Sequence, residues 1–239
     1  MRLLIYQQSK MLESLESRQS IPIAENFFCD GHYYVFSSAS LGGSELTPEE
    51  IARVLRHSNE SEMNGLLQQG ICIPLFFDGD CALDGNTIFV LGNLTEQEEQ
   101  DWIGRFVWKL NIPCGKFVML CGGGEAEDWA DALSGNPPNP QYQIFQVIEV
   151  PPAEYLVEIY AYLSSMTVQL FLGGHYDARG NWQEKENTAL QQWYEVHRPG
   201  VADIGYIVRL VPLETEPPYP KLVSEIGWCG EFEFRQPEL

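Results

Sequence analysis

The fold is decided by the stretch Ile71-Cys-Ile-Pro-Leu-Phe-Phe77, an almost continuous apolar run. Such a run is typical of a strand that is buried on both faces. The triplets Asp78-Gly79-Asp80 and Asp84-Gly85-Asn86 follow it and predict a turn, because Asp, Gly and Asn favour chain reversals. The residues Thr87–Leu91 then predict a second strand.

Helix-start patterns stand on both sides of this strand pair. Thr47 and Glu50 have the spacing of a capping box and predict a helix. Thr95 and Glu98 repeat that spacing, and apolar residues at intervals of three and four predict a helix that continues to about Leu110. Further helices are expected over residues 61–69, 125–133 and 187–196.

The segment Ser134-Gly-Asn-Pro-Pro-Asn-Pro140 is the best candidate for a domain boundary, because its three prolines exclude both helix and central strand. After it, strands are expected over residues 142–150, 155–163, 166–172 and 204–213. The predicted class is α+β: a mixed sheet with three or four helices in the N-terminal part, followed by a β-rich antiparallel C-terminal part. We expect an α+β domain over residues 1–135 and a β-rich domain over 141–239, although the two can pack as one unit.

The charge is strongly negative throughout the chain. Thirty-four acidic residues against fourteen basic ones give −20, of which residues 1–140 carry −12 and residues 141–239 carry −8. Such a surface repels nucleic acid and anionic membranes and attracts a protein with a basic surface. The alternative is that the charge only keeps the protein soluble.

The compartment is predicted from the N-terminus and the cysteines. The apolar start Met1–Tyr6 is shorter than a secretory core, and no apolar run reaches the roughly 20 residues of a spanning helix. We therefore expect a cytoplasmic protein whose six cysteines are small buried hydrophobes in a reducing compartment. A bridge between Cys72 and Cys81 is the alternative.

The loop after the apolar run is the best candidate for a metal site. Asp78, Asp80 and Asp84 place three carboxylates within seven residues, and these are suitable hard ligands for Ca²⁺ or Mg²⁺. Their spacing does not match the EF-hand, however, and any turn uses the same residue types. The expectation is that no cofactor is present, with Ca²⁺ or Mg²⁺ as the alternative.

Aromatic residues in polar surroundings are the candidates for partner binding. Trp182, Trp193 and Tyr194 lie among Asn, Gln and Glu residues, although the last two can equally form the buried face of a helix. Tyr219 lies in a Pro-rich segment that suits an extended conformation, either as a recognition site or as a stiff loop.

Two functions are the main candidates, and a scaffold element of a larger assembly is a third. The charge and the lack of a GxSxG, HExxH or CxxC motif favour an acidic, non-catalytic accessory protein that docks on a basic partner. The alternative is a small metal-dependent hydrolase that uses the Asp78–Asp84 loop.

Overall fold

A computed structural model describes residues 18–57, 60–139, 141, 143–176, 179, 181–183, 188–224 and 226–237, without the side chains of Tyr176 and Trp182. The described helices are six: α1 Pro48–His57, α2 Glu60–Gln68, α3 Glu96–Asp101, α4 Ala126–Leu133, α5 Met166–Phe171 and α6 Ala189–His197. Four precede residue 135 and two follow it.

Ten of the strands form two sheets. The first sheet has the order β1 (Gln19–Pro22), β4 (Thr87–Leu91), β11 (Tyr206–Pro212), β8 (Ala153–Ala161), β5 (Gly104–Ile112) and β12 (Glu233–Phe234). The second has the order β3 (Cys72–Phe76), β2 (Tyr33–Ser38), β6 (Lys116–Cys121) and β7 (Phe145–Glu149). A short ribbon pairs β9 (His175–Tyr176) with β10 (Trp182–Gln183).

The first sheet is mixed, because β4 and β11 are parallel whereas its other neighbours are antiparallel. The second sheet is antiparallel throughout. The prediction of an α+β fold with a mixed sheet is therefore confirmed.

The two sheets share one apolar core. Phe117 of β6 touches Phe36 of its own sheet and Phe89 of the other, with ring centroids 5.3 and 5.9 Å apart. All three rings are fully buried. Helices α1, α2 and α4 cover the opposite face of the second sheet. Ile51 of α1 and Met63 of α2 are among the buried residues that pack on it.

The predicted capping boxes are both present, but the helix predicted from Thr95 to Leu110 is wrong beyond its first turns. Helix α3 ends at Asp101, and Gly104–Ile112 forms β5. Burial alternates along β5, so Phe106 and Leu110 face the core while Arg105 and Lys109 point outward. The apolar residues of this segment also recur at intervals of three and four, which is why a helix was predicted, but the segment follows the two-residue alternation of a strand.

The strand predicted over residues 166–172 is also wrong. Met166–Phe171 forms α5, because the hydroxyl of Ser165 caps it by accepting a hydrogen bond from the Val168 amide. Within the helix only Val168 is fully buried. A single inward residue in six gives little periodic signal.

Strands from both sides of the predicted boundary pair with each other. The pairs are β6 with β7 in the second sheet and β5 with β8 in the first. This is the arrangement that a single packed unit would have, while the division into domains 1–135 and 141–239 stays a prediction. Among the described residues, no helix is both long and apolar enough to cross a bilayer.

The cysteines differ from expectation. Cys29 and Cys121 form a disulfide, whereas Cys81 and Cys114 are exposed thiols. Only the remaining free cysteines, Cys72 and Cys229, are the small buried hydrophobes that were predicted. The alternative bridge between Cys72 and Cys81 is not formed.

Thiol titration without reductant tests this arrangement. The native protein should react at Cys81 and Cys114, and the denatured protein at four thiols of the six cysteines. The control variant Cys29→Ser should show five thiols when denatured, since Cys121 loses its partner. Six reactive thiols in the denatured, unreduced wild type would contradict the bridge.

Candidate partner-binding site

The 78–86 loop joins β3 and β4, which belong to different sheets, and so passes around the edge of the shared core. Its carboxylates support its own turns. Asp84 Oδ1 accepts a hydrogen bond from the Asn86 amide at 2.9 Å, and Asp80 Oδ1 accepts one from the Cys81 amide at 2.9 Å. This is the turn-forming role that Asp commonly plays in loops.

The carboxylates of the loop do not converge on one site. Asp78 and Asp84 line two separate clefts. In the described part of the chain, no three His, Cys, Asp or Glu side chains converge on a point that could hold a metal ion. The Ca²⁺ or Mg²⁺ site at Asp78, Asp80 and Asp84 thus gains no support here and stays a prediction.

Helix α5 lies directly on this loop. A Cβ atom on the buried residue Gly79 would stand 2.2 Å from Cγ of Met166, so the helix approaches the loop as closely as a glycine permits. Asp78 precedes this contact in the chain and Asp84 follows it.

A buried phenol fixes the start of α5 to the first sheet. The hydroxyl oxygen of Tyr206 accepts a hydrogen bond from the Thr167 amide and shares a second one with Thr167 Oγ1, both at 2.8 Å. Burial raises the pKa of Tyr206 to about 12, so the phenol is neutral at physiological pH. Together with the Ser165 cap, these bonds set the position of the helix.

The first cleft, which we call the polar cleft, has a volume of about 600 Å³ and lies between the loop, α5 and α6. Polar residues from all three elements line it, among them Asp84, Asn86, Gln169, Gln191 and Glu195. Its two charged residues, Asp84 and Glu195, are both exposed. No Lys, Arg or His is among its described lining residues.

The second cleft, which we call the aromatic cleft, measures about 580 Å³ and is lined by Phe171, Phe232 and Phe234. Phe171 and Phe234 are stacked, with centroids 4.0 Å apart. Its acidic residues are Asp78 and Glu231, and none of its described lining residues is basic.

The two clefts lie on opposite flanks of α5. Met166 and Gln169 line the polar cleft, whereas Thr167, Leu170 and Phe171 line the aromatic cleft. Successive helical residues are turned by about 100°, which places these two sets on different sides of the helix. Val168 points to the core.

Of the four aromatic residues predicted to bind a partner, three have described side chains, and these three do not lie together. Tyr194 is buried and donates its hydroxyl proton to the Arg235 carbonyl, and Trp193 stacks on His197 with centroids 4.5 Å apart. Tyr194 therefore fits the alternative that it lies on the buried face of a helix. Tyr219 lies elsewhere, 43% exposed, against Trp108. Trp182 belongs to β10, with its side chain outside the described residues.

Sequence reasoning missed the residues of α5 and α6 that line the clefts, chiefly Gln169, Phe171 and Glu195. Residues 166–172 were predicted to form a strand, so the two sides of helix α5 were not considered as a binding surface. One signal was present: Ser165 stands immediately before the apolar residues, as helix caps do.

Replacing Gly79 tests the contact between the loop and α5. Gly79→Ala should lower the free energy of unfolding by about 1–3 kcal/mol, because its methyl group would overlap Met166. Gly85→Ala is the control, since a Cβ there has no neighbour within 4 Å. Equal urea midpoints for the two variants would contradict the close approach.

Comparisons with known proteins give one distant likeness. No protein-family model matches the chain, and no curated protein is significantly similar to it. Among solved structures, the chain is similar to one described as "Crocagin biosynthetic gene J", with 13% sequence identity and a TM-score of 0.42. The match covers 82% of this chain and 98% of the other. A likeness of this size says nothing about the function of this chain.

Proposed function

We propose that this chain is a non-catalytic docking protein that binds a basic region of a partner protein in the polar cleft. The observation that carries the proposal is the composition of that cleft: about 600 Å³ in volume, with Asp84 and Glu195 as its charged residues and no cation among its described lining. A ligand with positive charge would complement it.

The negative charge of the cleft is not neutralised locally. Asp84 accepts its hydrogen bond from a backbone amide, and Glu195 accepts one from the uncharged Gln191 side chain. Neither carboxylate forms an ion pair with a described residue. A Lys or Arg side chain of a partner would therefore gain an attraction that the protein itself leaves unused.

The overall charge supports the same partner class. At −20, the protein attracts basic proteins over long range and speeds their association, whereas it repels phosphate backbones and anionic lipid surfaces. We accordingly propose a protein partner rather than nucleic acid or a membrane. Such steering weakens as salt rises, because the Debye length is only about 8 Å at physiological ionic strength.

We also propose a cytoplasmic location. The Cys29–Cys121 disulfide weighs against it, since the cytosol keeps most thiols reduced. Metal-dependent hydrolysis is not proposed as a second function, because no group of three or more His, Cys, Asp or Glu side chains that could hold a metal ion is found among the described residues.

Charge reversal tests the polar cleft. The partner would first be identified by native mass spectrometry of the protein isolated at low salt, and its affinity then measured with the variant Asp84→Lys/Glu195→Lys. We expect at least about tenfold weaker binding, because two attractive carboxylates become repulsive. The wild-type affinity should itself fall as salt is added.

The matched control is Glu45→Lys/Glu214→Lys. Both carboxylates are exposed and lie outside the lining of either cleft, and each double variant changes the net charge from −20 to −16. The control should bind within about twofold of the wild type. Equal losses in both variants would show that net charge, and not the cleft, binds the partner. Isolation of the bare chain at low salt would contradict docking altogether.

A further inference from the structure

Helix α5, which we call the ridge, has an acidic cleft on each side. The polar cleft carries Asp84 and Glu195, and the aromatic cleft carries Asp78 and Glu231. From this arrangement we infer that the two clefts act as one bipartite surface, which binds an extended basic segment of a protein partner lying across α5. The inference rests on the proposed docking function and specifies the ligand.

The loop beneath α5 makes the two clefts parts of one rigid surface. Asp78 and Asp84 belong to the same loop, and Gly79 of that loop contacts Met166 of α5, which itself lines the polar cleft. The Tyr206 hydroxyl holds Thr167, the second residue of the ridge, to the first sheet. The separation of the two clefts is therefore built into the fold.

The width of the ridge sets the spacing of the ligand's anchors. An α-helix with its side chains is about 10–12 Å across. An extended peptide advances about 3.3 Å per residue, or about 3.1 Å as polyproline II. Two side chains that enter the clefts on either side of α5 should consequently lie three or four positions apart in the partner sequence.

The aromatic cleft favours arginine over lysine. A guanidinium group is planar and weakly hydrated, so it can lie against the rings of Phe171 and Phe232 while it bonds to the Asp78 carboxylate. Asp78 has no ion pair with a described residue. Glu231 pairs with Lys221 at 3.3 Å, but both side chains are more than half exposed, so this bond holds Glu231 only weakly.

The polar cleft has no such preference. Uncharged hydrogen-bonding groups surround its carboxylates, and Tyr206 is the one aromatic residue in its described lining. Lysine and arginine both satisfy it. The ligand is thus a segment with an arginine and, three or four positions away, a second cationic residue.

Peptides with two arginines test the spacing directly. Acetylated and amidated peptides would carry the arginines separated by zero to six Gly or Ser residues, with affinities measured by calorimetry at low salt. We expect the tightest binding with two or three intervening residues, at least about fivefold tighter than with none or six, because only these lengths engage both clefts. Exchanging one arginine for uncharged citrulline should remove the dependence on spacing.

Single variants assign each anchor. Asp78→Asn should weaken binding of the best peptide and abolish its preference for arginine over lysine, whereas Asp84→Asn should weaken both peptides alike. Glu45→Gln is the control, with unchanged affinities expected. All three side chains are exposed, so the folds should be preserved, which circular dichroism would verify.

Two results would overturn the inference in distinguishable ways. If the affinity does not depend on the spacing of the two arginines but still falls in Asp84→Asn, the bipartite surface is refuted and docking in the polar cleft is not. If the affinity changes neither with the spacing nor in any cleft variant, the bipartite surface is refuted. If, in addition, the charge-reversal variant binds the partner as tightly as the wild type does, the docking proposal is refuted as well.

Discussion

The packing of two sheets through one aromatic core is the constraint on which the other features depend. Phe36 and Phe117 on one sheet and Phe89 on the other must all face inward, and a shift of one residue in any of these strands would turn its side chains to the wrong face. Because β3 and β4 lie in opposite sheets, the 78–86 loop has to pass around the core edge, where α5 covers it. The position of both clefts follows from that crossing.

The distribution of charge gives those clefts their character. Seven basic residues are engaged in ion pairs among the described residues, such as Arg105 and Arg209 on either side of the buried Glu158. None of them lines either cleft. In a chain with thirty-four acids and fourteen bases, the acids cannot all be paired one to one. Three of the four carboxylates in the clefts beside α5, those of Asp78, Asp84 and Glu195, form no ion pair with a described residue and lie next to hydrogen-bonding groups or aromatic rings. Charge alone makes a protein soluble, whereas charge in a shaped cleft can select a partner.

Local patterns predicted the parts of the fold that local interactions determine. The run Ile71–Phe77 and the capping box at Thr47 gave the right element types, because burial and capping act within a few residues. The predicted element type was wrong in β5, where the apolar residues fit both a strand period and a helix period. It was also wrong in α5, a short helix with only one inward residue. The aspartates of the loop were predicted as metal ligands, and only the packing of α5 decides that Asp78 and Asp84 face different clefts. Long-range packing of this kind has no signature in a single sequence.

Hydrogen–deuterium exchange of the protein, alone and with a bound two-arginine peptide of the best spacing, is the most direct test of the central claim. We expect slower exchange in the 78–86 loop, in residues 163–171 and in residues 230–234, with no change in α1 and α2. These regions line or support the clefts, whereas the two helices cover the far face of the second sheet. Protection centred on α1 and α2, or absent beside α5 when the peptide is bound, would contradict the assignment of the docking surface.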